Sequence, residues 1–209
     1  MLKRIVYQKI HFYPAFAASV VPIHSVQGFT NNDPLILRRD VLARIFRGNI
    51  TVWNHPDIVS SNPLHAIHLQ EAGSINLVVH SHSSVLARVF KRVLAMFDSE
   101  FDSQIGTSDE PTWNGVPVNT ISFRDGDAGV ISHVQFTPGT IGFASLSESD
   151  RYHMQKISLF PINNSFAAAS ADAHSTELAV FDKGLAFGNE GSDPSRLTAD
   201  LCNALNDHA

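Results

Sequence analysis

Apolar positions along the chain change period several times, and each change marks an element. Residues 39–47 (RDVLARIFR) set Val41, Leu42, Ile45 and Phe46 on one helical face, and Gly48 follows as a C-cap. Residues 75–80 (INLVVH) are a β-rich apolar run, which predicts a strand. Residues 83–97 return to helical spacing through Leu86, Val89, Phe90, Val93, Leu94 and Phe97. Residues 127–136 predict a helix stopped by the turn Thr137-Pro138-Gly139, residues 140–144 a strand, and residues 156–161 another. Residues 15–26 (AFAASVVPIHSV) predict a buried extended segment interrupted at Pro22. Toward the C-terminus, residues 166–181 are alanine-rich and helix-compatible, and Asp193-Pro194 joins an N-cap to a proline at N1, opening a helix that runs through Leu205. Strands alternating with helices predict an α/β layered fold. No repeat or low-complexity block divides the chain, so one compact unit is expected.

Composition narrows the function classes. At 209 residues and 44% hydrophobic, the chain can bury a substantial core. Charged residues make up 17% of it, against roughly 25% for an ordinary soluble domain, so part of the surface is expected to be covered by something else. A formal charge of −5, with scattered lysines and arginines, lacks the basic stripe that nucleic-acid binding requires. One cysteine, Cys202, excludes an internal disulfide and any thiolate metal cluster. No apolar run is long enough for a signal h-region or a membrane span. Two Asn-x-Ser/Thr sequons, at Asn49 and Asn163, matter only in a secretory context.

Residues 42–63 (LARIFRGNITVWNHPDIVSSNP) match the pattern L-A-D-I-F-x-G-x-I-x-x-W-N-D-P-x-I-x-x-x-N-P at Leu42, Ala43, Ile45, Phe46, Gly48, Ile50, Trp53, Asn54, Pro56, Ile58, Asn62 and Pro63. Residues 126–143 (GDAGVISHVQFTPGTIGF) look like G-N-E-G-V-x-x-x-V-x-x-T-P-G-S-I-G-Y. In these two stretches the chain resembles the phosphate-binding proteins of ABC-type phosphate uptake, the PstS-like proteins, which have the periplasmic-binding-protein type II fold. The resemblance implies a single lobe of that fold, with a mixed sheet and helices on both faces. It implies one domain over residues 1–209, best supported over 20–147, with residues 148–209 a divergent C-terminal part. Family members are extracytoplasmic.

Between the two matches the family carries R-S-D-G-S-G-T-T, whose arginine, hydroxyls and helix N–H groups hold an oxyanion. Aligned without a gap, the motif falls on residues 80–87 (HSHSSVLA). His80 stands for the arginine, Val85 for a glycine and Leu86 for a hydroxyl donor, while Ser81 and Ser84 survive. The resemblance therefore implies a degenerate ligand site, with His80, Ser81, Ser83 and Ser84 as a residual place for phosphate or another oxyanion. The simpler reading is that Ser83 or Ser84 caps a helix and the histidines are polar loop residues. Two further readings were weighed: a metal pair, His80 with His82, which lacks a third ligand, and a nucleophile, Ser81 or Ser84, oriented through histidine by Asp102 or Asp125. No nucleophile elbow, zinc helix or phosphate-cradling loop supports catalysis. No catalytic residue, metal or cofactor is expected. His55, His65 and His68 are expected at the surface. His55 and Arg44 each replace an aspartate of the first pattern, consistent with a new partner surface.

The resemblance covers a second lobe only, so a two-walled trap cannot close. The expected role is non-enzymatic, as an interaction or structural subunit with a protein partner. The partner should cover at least one of two regions, the wall that includes the loop 80–84 and the turn 137–139, or the apolar segment 12–21. The alternative is an oxyanion-binding module completed by another chain or a longer parent protein.

Overall fold

The computed structural model describes residues 19–160. In chain order the elements are β1 (Val20–His24), β2 (Ile36–Arg38), α1 (Arg39–Phe46), α2 (Pro56–Val59), α3 (Ala66–Ala72), β3 (Asn76–His80) and α4 (Val85–Phe97). They continue with α5 (Ser99–Gln104), β4 (Ile121–Arg124), α6 (Gly126–Phe136), β5 (Thr140–Ser145), α7 (Leu146–Arg151), β6 (Gln155–Lys156) and β7 (Ser158–Phe160). The helices expected over 166–181 and from Asp193-Pro194, and most of the apolar segment 12–21, lie outside the described residues.

A five-stranded mixed sheet runs in the order β4-β3-β5-β1-β6, and β2 pairs with β7 beside it. β3 is parallel to β4 and β5, while β1 is antiparallel to β5 and β6. The strand expected over 156–161 is divided: Gln155–Lys156 joins the main sheet, and Ser158–Phe160 joins β2.

Alternation along the strands sorts the core into two layers. Leu77, Val79, Ile141 and Phe143 face α1 and α4, meeting Phe46, Phe90 and Leu94. Val78, Ala144, Val21 and Ile23 face the other way, onto Val130, Ile131 and Val134 of α6. Helices thus cover both faces, the architecture of one periplasmic-binding-protein lobe. Gly142 lets α6 come this close, since a Cβ there would lie 2.7 Å from Val78 Cγ1 and 3.0 Å from Val130 Cγ1.

Pro22 does not interrupt β1. Ser25 N donates to Thr140 O and Ser19 O accepts from Leu146 N, so Val21 and Ile23 share their parity and pair with β5. The missing N–H of Pro22 falls on the opposite side, where β6 pairs only with Ile23 and His24. The Pro22 carbonyl still accepts from Ile157 N.

The two patterned stretches hold each other. Buried Trp53 donates from Nε1 to Gly139 O at 2.9 Å, and Asn62 clamps β2 to α2 by bonding Ile36 N, Ile36 O and Ile58 O. The two acid replacements are satisfied internally: Arg44 pairs with Asp57 at 2.7 Å, and His55 caps α2 by accepting from Asp57 N. That local pairing accounts for them without a partner. Nor are His55, His65 and His68 plain surface residues. All three are partly buried, and His65 stacks on Phe29 at 4.3 Å and bonds Asp33 at 2.8 Å.

Candidate functional site

Parallel strands β3 and β4 end side by side, with His80 opposite Arg124. Each strand turns at once into a helix, β3 into α4 and β4 into α6, so two helix N-termini converge beyond the carboxyl edge of the sheet. This is where α/β folds place ligands. A cleft of about 290 Å³ opens there, lined by His80, His82, Ser83, Ser84, Leu86, Asp125, Gly126 and Asp127.

His80 is 5% exposed, the last residue of β3 rather than a loop residue, and its ring packs 5.1 Å from that of Phe143. Its Nδ1 lies 2.9 Å from Ser84 Oγ, and its Nε2 lies 3.1 Å from Asp127 Oδ1. The second contact is close, but its angle departs from hydrogen-bond alignment. Asp127 is fixed from its other side by Ser145, which donates from N at 2.9 Å and from Oγ at 2.6 Å. Burial works to raise the Asp127 pKa, but bonding to His80 and Ser145 outweighs it and holds the carboxyl below the ordinary value.

Ser84 is the N-cap of α4, accepting from Ala87 N at 3.4 Å. The Val85 and Leu86 N–H groups, at N1 and N2, have no intrahelical acceptor, and Leu86 lines the cleft. Ser84 N donates to Asp109 O, and the segment carrying Asp109 is pinned by Lys91, which donates to Glu110 O at 2.7 Å and Thr112 O at 2.9 Å beneath Trp113. Lys91 is fully buried, and desolvation lowers its pKa.

Of the expected residues, His80, Ser83 and Ser84 line the cleft, while Ser81 does not. Ser81 instead donates its N–H to Arg124 O and bonds His82 Nδ1 through Oγ at 2.9 Å. His82 and Asp125 form an exposed pair at 3.2 Å, a class of contact that contributes little to stability. Among the described residues no group of three potential metal ligands exists.

The orienting carboxylate is neither of the two expected. Asp102 lies exposed on α5, and Asp125 faces His82, whereas Asp127 reaches His80 because the first turn of α6 points it across the cleft. Its signal was present in the chain. Asp127 is the second residue of the 126–143 match, at a strand-to-helix junction like that of residue 84. The turn 137–139, by contrast, does not share this wall. It precedes β5, whose Thr140 pairs with Asn76 at the start of β3, the far end of the strand from His80.

No protein-family model matches the chain. A phosphate-binding protein PstS of Xylella fastidiosa is 30% identical over 171 residues, 77% of this chain and 44% of that protein. A putative serine/threonine-protein kinase/receptor of Acanthamoeba polyphaga mimivirus is 32% identical over 98 residues, 47% of this chain and 6% of that protein. A solved high affinity periplasmic phosphate-binding protein, bound with phosphate, superposes with a TM-score of 0.56 at 16% identity, covering 87% of this chain and 47% of that one. The chain thus spans about half the length of these phosphate-binding relatives.

Proposed function

Because the chain is PstS-like, with the α/β fold of one lobe of a periplasmic phosphate-binding protein, we propose that it is a non-enzymatic binding module whose phosphate site has degenerated and whose role is interaction or structure within a larger assembly. One observation carries this reading. Among the described residues lining the cleft there is no lysine or arginine, and the groups with permanent charge at neutral pH are the carboxylates of Asp125 and Asp127. A phosphate entering the cleft meets two like charges, the exposed His82, and a His80 imidazole whose Nδ1 is already engaged by Ser84. An arginine in place of His80 would supply a permanent cation with five donors.

The domain assignment belongs to the same proposal: one lobe over 1–209, with residues 148–209 its divergent continuation. Support for an interaction role comes from the charge content and from Val85 and Phe123, 64% and 42% exposed, beside the cleft on α4 and edge strand β4. The second reading, an oxyanion module completed by another lobe, is favoured by the free N–H groups at the start of α4 and by relatives about twice as long. The match within a much longer mimivirus protein fits a parent chain of that kind.

Calorimetry with inorganic phosphate at neutral pH tests the first reading. The expected dissociation constant is weaker than about 1 mM, worth less than roughly 4 kcal/mol, and a micromolar constant would refute it. Hydrolysis of p-nitrophenyl acetate above the level of a His80→Gln variant would overturn the non-enzymatic assignment.

A further inference from the structure

We propose that the cleft is a proton-gated oxyanion site, in which protonation of His80 turns the Ser84 hydroxyl outward and cancels the charge of Asp127, so that a sulfate- or phosphate-class anion binds more tightly as the pH falls. This rests on the preceding reading of the cleft as the remnant of a phosphate site, and it adds the regulation of that site.

The argument starts from proton positions. A lone pair held against a carboxylate is repelled by it, so the neutral imidazole carries its ring proton on Nε2, which faces Asp127 Oδ1 at 3.1 Å outside hydrogen-bond alignment. Nδ1 then holds a lone pair, and the 2.9 Å contact with Ser84 Oγ is made by the serine donating. Ser84 has one proton and commits it inward, while its oxygen accepts the Ala87 N–H of the cap. An anion in the cleft would meet serine lone pairs and two carboxylates.

Protonation reverses the contact. Nδ1 becomes a donor, Ser84 Oγ accepts from it, and the hydroxyl hydrogen is free to point at a ligand beside the Val85 and Leu86 N–H groups. The same event places an imidazolium against Asp127 and cancels its charge within the cleft.

The groups facing His80 are few. Asp127 comes from α6, Ser84 from α4, and the Phe143 ring from β5. From β4 comes its register partner Arg124, whose guanidinium bonds Phe123 O. Buried to nineteen-twentieths and lining the cleft, His80 is the one cleft imidazole shielded from bulk solvent.

Sulfate is the probe, because it stays a dianion while histidine titrates between about pH 5 and 8. Titration calorimetry on the full chain at about pH 7.5 and about pH 5.5 should show an affinity at least about tenfold tighter at the acidic value, with a thermal melt confirming the fold at each pH. His80→Arg is expected to bind at both values with no gain on acidification. His80→Gln should lose the gain, and Ser84→Ala should weaken binding at the acidic value alone. Equal wild-type affinities at the two values, or a full acidic gain retained by His80→Gln, would overturn the gate. Absence of sulfate binding at both would also overturn it, yet leave the degenerate-site reading standing. Micromolar phosphate binding at neutral pH would instead sink that reading.

Discussion

His24, away from the cleft, and Asp127, in its lining, respond to acid in different windows. His24 is almost wholly buried between β5 and β6, its Nδ1 accepting Val26 N–H at 3.1 Å, and desolvation lowers its pKa from 6.5 to about 3. The folded value lies below the unfolded one, so between the two the unfolded chain binds the extra proton. Stability from this group is therefore complete above 6.5 and is lost as pH falls toward 3, at about 1.4 kcal/mol per unit. Urea midpoints should drop between about pH 7 and pH 5, and His24→Gln should flatten that slope. Equal slopes would count against burial of a neutral imidazole. Asp127 acts in a different window. Its pKa is depressed, so its contribution is present above the ordinary 3.8 and disappears only as pH falls through the lower folded value. Acid losses above that point then belong to groups other than the Asp127 carboxyl, the buried His24 and the partly buried His133 among them.

At the scale of elements, close approach and loop anchoring hold the cleft in place. α6 rests on Gly142, where a Cβ would overlap Val78 and Val130. Gly142→Val should cost about 1–3 kcal/mol through overpacking, measurable by denaturant unfolding, whereas an unchanged midpoint would mean that α6 sits farther out. α4 depends on Lys91, whose two carbonyl partners tie down the segment that bonds Ser84 N. Lys91→Met removes two part-buried hydrogen bonds from a charged donor, a loss of roughly 1–3 kcal/mol. Hydrogen exchange should quicken at Ser84 N, and exchange as slow as in the wild type would show that the segment is held by something else.

For the whole molecule, the proposed interaction role places a partner on the wall at the carboxyl ends of β3 and β4. The turn 137–139 packs beneath Trp53 at the other end of the sheet, so a partner has the loop 80–84, Val85 and Phe123 to grip. Light scattering coupled to size-exclusion chromatography of the native protein is expected to show a complex. Crosslinks should map to this wall and bury roughly 1,000 Å² or more. A lone, well-behaved monomer that recovers no partner from its source would remove the interaction role and favour a small ligand.

Periodicity by itself determined α1, β3, α4, α6 and β5, because each buries a regular stripe and the spacing of that stripe is a local property. That residue 80 is a histidine, where the resemblance places an arginine, is likewise a matter of residue identity alone. Pro22 was misread because a proline stops a strand only where its N–H would have paired, and which side pairs depends on β5 and β6. Replacement of two acids by Arg44 and His55 looked like a new surface until Asp57 was found beside both. The coupling of Ser84, His80 and Asp127 was beyond reach for the same reason. Forty-three positions separate Ser84 from Asp127, and only the parallel register of β3 with β4 brings the starts of two helices to one edge, where three ordinary side chains come within 2.9 and 3.1 Å of one another.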